Sequence, residues 1–136
     1  MNQNAYNQYK EVQVKTASRG KLVIMLYEGC IKFLRIARQA IQEEDIMKTN
    51  KYLKKCHDII NELKATLDFE KGGEIAENLD SLYDFMNRQL INANLHSDPE
   101  EVQVVEELME ELLEAWENIV AGGSAQEEME KVDLTT

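Results

Sequence analysis

Apolar side chains return every three or four positions in four separate runs, the spacing of helices that each bury one face. In the first run, residues 19–43, Leu22, Met25, Leu26, Gly29, Phe33, Ile36, Ala37 and Ala40 share a face at ~100° per residue. Val23, Tyr27, Cys30, Leu34 and Ile41 form a second apolar strip beside it. Lys21, Glu28, Lys32, Arg35 and Gln39 leave only a narrow polar strip opposite. Ser18 stands where a hydroxyl caps the first turn. A helix with two apolar strips needs cover on two sides. Either it is a central bundle helix with two neighbours, or part of the second strip is a docking surface for another chain.

The break at Glu44-Asp45 is short, so a second helix over residues 46–69 is expected antiparallel to the first. Its stripe is Tyr52, Leu53, Cys56, Ile59, Ile60, Leu63 and Leu67, and Gly72-Gly73 reads as its stop. A third helix over residues 74–95 carries Ile75, Ala76, Leu79, Leu82, Tyr83, Met86, Leu90 and Ala93 on one stripe. Phe85, Ile91 and Leu95 lie off that stripe, apolar and without an evident core neighbour. Asp98-Pro99-Glu100-Glu101 is the strongest local signal: an N-cap, a proline at the first helical position and a capping-box glutamate. A fourth helix then runs to about residue 120, with Val102, Val105, Leu108, Met109, Leu112, Trp116 and Ile119 inward. Glu106, Glu107, Glu110, Glu114 and Glu117 read as its wet face, and Gly122-Gly123 as its end.

The pattern therefore predicts an all-α protein, an antiparallel up-down four-helix bundle over residues 16–121. A flexible N-terminal arm, 1–15, is expected before it and a disordered acidic C-terminal tail, 122–136, after it. Tyr6 and Tyr9 give the arm aromatic area that gains by docking.

Charge narrows the possible functions. The chain has 136 residues and a net charge of −11, which makes nucleic acid a poor partner. Residues 1–66 hold 12 basic and 7 acidic side chains, whereas residues 67–136 hold 3 and 19. No secretory signal pattern and no run long enough to cross a bilayer is present, so membrane insertion is not expected and a cytoplasmic location is. Catalysis finds little support. His57 and His96 are offset by about 15 Å along antiparallel helices at ~1.5 Å per residue, too far to share a metal. No phosphate-binding glycine loop occurs, and no cofactor is expected. Cys30 and Cys56 are expected at one level of the bundle, close together and reduced.

One stretch resembles a known family. Thr16, Ala17, Ser18, Leu22, Met25, Leu26, Tyr27 and Gly29 match the first-helix signature of the flagellar secretion chaperones that hold flagellin, the FliS family. That family usually has Pro where this chain has Arg19. The resemblance continues through Leu82, Tyr83, Met86, Arg88, Leu90, Ala93, Asn94 and Leu95, and through Ala115-Trp116, in consistent order over about residues 6–120. It implies a non-enzymatic cytoplasmic export chaperone. Such a protein binds the disordered C-terminal segment of flagellin, prevents premature polymerisation and delivers flagellin to the export gate of the flagellar type III secretion apparatus. The alternative from the residues is a self-associating helical scaffold that closes its surplus apolar surface as a homodimer. A client-binding chain is expected to be a monomer or weak dimer alone.

The surfaces expected to meet a partner are Tyr6, Tyr9, Val23, Tyr27, Leu34, Phe85, Ile91 and Leu95. The arm is expected to lie back on the second strip of the first helix until the partner arrives. Glu106, Glu110 and Glu114 are expected to serve solubility alone.

Overall fold

A computed structural model describes residues 19–135, with side chains from Arg19 to Gly122. The arm and the Ser18 cap lie outside the described residues. Four helices follow one another: α1 (Arg19–Gln42), α2 (Ile46–Ala65), α3 (Phe69–His96) and α4 (Pro99–Thr135). No strand occurs among the described residues.

Contacts between α1 and α2 run in opposite directions along the chain: Phe33 packs on Tyr52, and Gly29 faces Ile59. Likewise Gly20 abuts Val120 while Arg35 reaches Glu106 across α1 and α4, and Asn50 meets Asn94 while Lys64 meets Asp84 across α2 and α3. Neighbouring helices are thus antiparallel and close a ring in chain order. α1 packs far more extensively on α2 and α4 than α3 does on either. Short connections enforce this order.

The core exchanges the roles expected of the two strips on α1. Tyr27, Cys30 and Leu34 are fully buried, and Val23 and Ile41 nearly so, in one cluster with Leu53, Cys56, Ile60, Tyr83, Met86, Leu90, Val102, Val105 and Met109. In the other strip Leu22, Leu26, Phe33 and Ile36 are half-buried and Met25 is 57% exposed, while its small residues Ala37 and Ala40 are fully buried. Periodicity identifies two apolar arcs, but the angle at which α2 and α4 approach decides which points to the axis. The strip bearing Tyr27 points there because its hydroxyl finds a buried partner.

Caps set the boundaries. α1 closes through Glu44 at φ 59°, with Asp45 N–H donating to Ala40 C=O at 2.9 Å. Asp45 then caps α2, its carboxylate accepting from Lys48 N–H. α3 closes in the same way through Ser97 at φ 47°, with Asp98 N–H donating to Ala93 C=O. That bond removes the donor a capping box would need. Asp98 still caps Glu100 N–H, and Glu101 reaches back to His96 at 3.5 Å instead.

Two expected stops move. α2 ends at Ala65, earlier than Gly72-Gly73, because Asp68 captures Glu70 and Lys71 N–H and starts α3. The glycine pair falls inside α3, where Gly73 at φ 51° kinks the helix after its first turn. α4 continues through Gly122 to Thr135. A glycine costs a helix interior only ~1 kcal/mol, and Ala, Gln, Glu, Met and Lys further on are good helix formers.

Candidate functional site

An apolar groove of about 590 Å³ opens at the end of the bundle where α1 begins. α1 contributes Leu22 and Val23, the α2–α3 connection Leu67, α3 Ile75, Leu79 and Tyr83, and α4 Trp116. The groove exists because small residues sit where the helices converge. Gly20, Gly72 and Ala76 line it. A Cβ on Gly20 would stand 2.4 Å from Val120 Cγ2, so only glycine lets α4 close against α1 here. Arg19 and Lys71 also line the groove, together with Asp68, whose carboxylate is engaged in capping.

Its floor is neutral. The Tyr27 and Tyr83 hydroxyls hydrogen-bond to each other across the bundle diagonal, with ring centroids 6.5 Å apart. Burial raises the pKa of both phenols; for Tyr27 the hydrogen bonds with Tyr83 and Trp116 offset part of that rise. Both therefore stay protonated across the physiological range, and of the two only Tyr83 lines the groove.

The expected partner residues separate into three groups. Tyr27 and Leu34 have no accessible surface, and Val23 is 9% exposed, reaching the groove only at its edge. They are core residues, so the strip left without a partner by the sequence is the one that holds the bundle together. Phe85, Ile91 and Leu95 are 37%, 52% and 75% exposed along α3. Ile46 and Met47 are exposed at the start of α2, within one turn of Asn50, which accepts a hydrogen bond from Asn94 of α3. Tyr6 and Tyr9 lie outside the described residues. Sequence reasoning missed Leu22, Leu67, Leu79 and Trp116 as groove residues, since each also fits a core stripe. The available signal was the small residues Gly20, Gly72 and Ala76 at the same end.

The wet face of α4 also needs correction. Glu106 is buried, with Arg35 Nε donating to its carboxylate at 2.9 Å and Arg38 Nε 3.2 Å away. Arg38 Nε makes no directed hydrogen bond, but Arg38 Nη2 donates a long one, 3.5 Å, to the same carboxylate. Glu110 shares Arg35 at 3.0 Å but stays exposed. Glu114 is exposed as expected.

Among the described residues no group of three or more His, Cys, Asp or Glu is placed to hold a metal. His57 Nδ1 bonds Asn87, and His96 pairs with Glu101. Cys30 and Cys56 are free and fully buried. The hydrogen bond from Cys30, with burial, pushes the Cys56 thiol well above the ordinary thiol range. No helix among the described residues is long and apolar enough to cross a membrane.

A helical bundle is also what comparison with known proteins finds. The model of the family "Flagellar protein FliS" matches residues 2–123. The chain belongs to the FliS family. It is 43% identical over 118 residues to "Flagellar secretion chaperone FliS" of Salmonella typhimurium, covering 86% of this chain and 87% of that one. The protein of the same name from Bacillus subtilis is 37% identical over 118 residues, 87% of each chain. Its counterpart in Campylobacter jejuni is 40% identical over 118 residues, 87% of this chain and 92% of the relative. A solved structure described as "flagellar chaperone from bacteria" shares the fold, with a TM-score of 0.73 at 19% identity over 90% of this chain and 99% of that one. The FliS relatives are named as chaperones, a non-enzymatic class.

Proposed function

We propose that this FliS-family chain is a cytoplasmic export chaperone that binds the disordered C-terminal segment of flagellin, prevents its premature polymerisation and hands it to the flagellar type III export gate. The open apolar groove floored by Tyr83 and Trp116 carries this reading. An amphipathic client segment lays an apolar face into such a groove, with anchors at helical spacing. Phe85, Ile91 and Leu95 extend the apolar surface along α3 and give a long segment further places to dock. Ordering the client costs roughly 2–5 kcal/mol or more, so the apolar area it buries must be large.

The N-terminal arm enters this proposal in altered form. It cannot cover Tyr27 and Leu34, which are interior. The groove begins at Arg19, where the arm joins α1, and is apolar surface adjoining that junction. Hydrogen exchange tests this: protection of the arm and of the groove is expected to change together when the client is added.

Calorimetric titration with a synthetic flagellin C-terminal peptide tests the main reading. One-to-one binding with a negative heat-capacity change is expected. Replacing Leu79 and Trp116 together by serine is expected to weaken binding by at least about tenfold while the chain stays helical. Absence of binding by the native chain would end the proposal. The exposed apolar side chains of Ile46, Met47, Ile91 and Leu95 keep the homodimeric scaffold as a second reading. Sedimentation separates the two, since a stable dimer at micromolar concentration favours the scaffold and a monomer the chaperone.

A further inference from the structure

The groove is apolar along its floor and cationic at its outer end. Arg19 opens α1 and Lys71 lies in the first turn of α3, so both stand at the end of the bundle, whereas Tyr83 and Trp116 lie further in. The cations that do form ion pairs, Arg35 and Arg38 with Glu106 and Lys64 with Asp80 and Asp84, line no part of this groove. Arg19 and Lys71 have no ion pair among the described residues. Asp68, the one carboxylate that lines the groove, accepts the backbone N–H groups of Glu70 and Lys71 at 3.1 and 3.0 Å. On a protein of net charge −11, two cations against one carboxylate at the mouth of this apolar groove favour an anion on the ligand.

Resting on the export-chaperone reading above, we infer that Arg19 and Lys71 hold the free α-carboxylate of the client, so that the groove reads the last residue of the chain. A C-terminal segment carries one anion that no internal segment has. A client helix seated with its apolar face on Leu79, Tyr83 and Trp116 and its C-terminus at Arg19 runs antiparallel to α1. Its carboxylate and the negative end of its helix dipole then both meet the cations. The guanidinium of Arg19 suits a carboxylate because its planar fork can donate two hydrogen bonds. An acidic side chain near the end of the client offers the same chemistry, so the test has to separate the two sources.

The C-terminal peptide of the flagellin encoded in the same genome, made as the free acid and as the amide, is titrated into the full-length chain. The amide keeps every side-chain carboxylate and removes only the terminal charge. It is expected to bind roughly three- to tenfold more weakly, as suits two exposed charge contacts. With Arg19→Gln and Lys71→Gln combined, acid and amide are expected to bind alike, whereas Lys54→Gln on the outer face of α2 preserves the difference. Circular dichroism checks that the variants stay helical. The inference is overturned if the native chain binds both peptides within about twofold. It is equally overturned if the double variant still discriminates. Equal and tight binding of both peptides removes this inference and leaves the chaperone reading standing; failure of both to bind removes the two together.

Discussion

Glu106 and Glu110 are one turn apart on α4 and both touch Arg35, yet they differ in what they support. Glu106 is enclosed and meets two arginines, so Glu106→Gln leaves Arg35 and Arg38 without their shared anion. A loss of roughly 1–3 kcal/mol is expected in urea denaturation. Glu110→Gln is expected to change stability by less than ~0.5 kcal/mol, because its contact is exposed. Nothing in the run of glutamates distinguishes the two. The difference lies in arginines of α1, brought near only by the fold. The tyrosine pair makes a second residue-scale test. Tyr83→Phe leaves the Tyr27 hydroxyl with a lost partner and is expected to cost about 1–2 kcal/mol, and adding Tyr27→Phe is expected to recover part of that. Tyr27, Tyr83 and Cys56 all have raised pKa values in the folded chain. They favour folding fully below their unfolded values of roughly 8.5 for the thiol and 10 for the phenols, and that advantage fades above them. These groups are therefore expected to leave stability flat through neutrality and lower it above about pH 9, read as a falling denaturation midpoint.

At the scale of elements, helix existence and type were legible because each run keeps its period for many turns. Ends were less so, since competing caps decide them. Asp68 overrode the glycine pair as a boundary, and nothing in Glu44 or Ser97 marks a residue about to adopt a left-handed conformation. Glu44→Gly and Ser97→Gly remove that strain and are each expected to raise stability by roughly 0.5–1 kcal/mol, seen as a higher melting temperature. Gly20→Ala is expected to act oppositely. Its methyl group would collide with Val120, at a cost of about 1–3 kcal/mol, and Val120→Ala in the same chain is expected to restore much of it.

On the scale of the whole molecule, the bundle and the family could be read from the order of the motifs, while the groove could not. A groove is the space several helices leave between them, and no single stripe records it. The residues that make it, Leu22 and Trp116 among them, have the same spacing as core residues. Phe85, Ile91 and Leu95 were recognisable as surface because they break their helix's period.

The uneven packing of the ring has a consequence for cooperativity. α1, α2 and α4 share most of the interhelical contact. α3 sends Tyr83, Met86, Leu90 and Ala93 into the core, but its exposed edge toward α2 is joined by polar rungs: Asn94 to Asn50, His57 through Asn87 to Asn61, and Lys64 to Asp84. Such rungs exchange readily with water, so each adds little to the free energy of holding α3 in place. With fewer interhelical contacts than its neighbours, α3 is expected to have the lowest opening energy of the four helices. In native-state hydrogen exchange, amides of α3 are expected to exchange through a partial opening that leaves α1, α2 and α4 protected. Since α3 carries one wall of the groove, that opening would let a long client thread in sideways without unfolding its host.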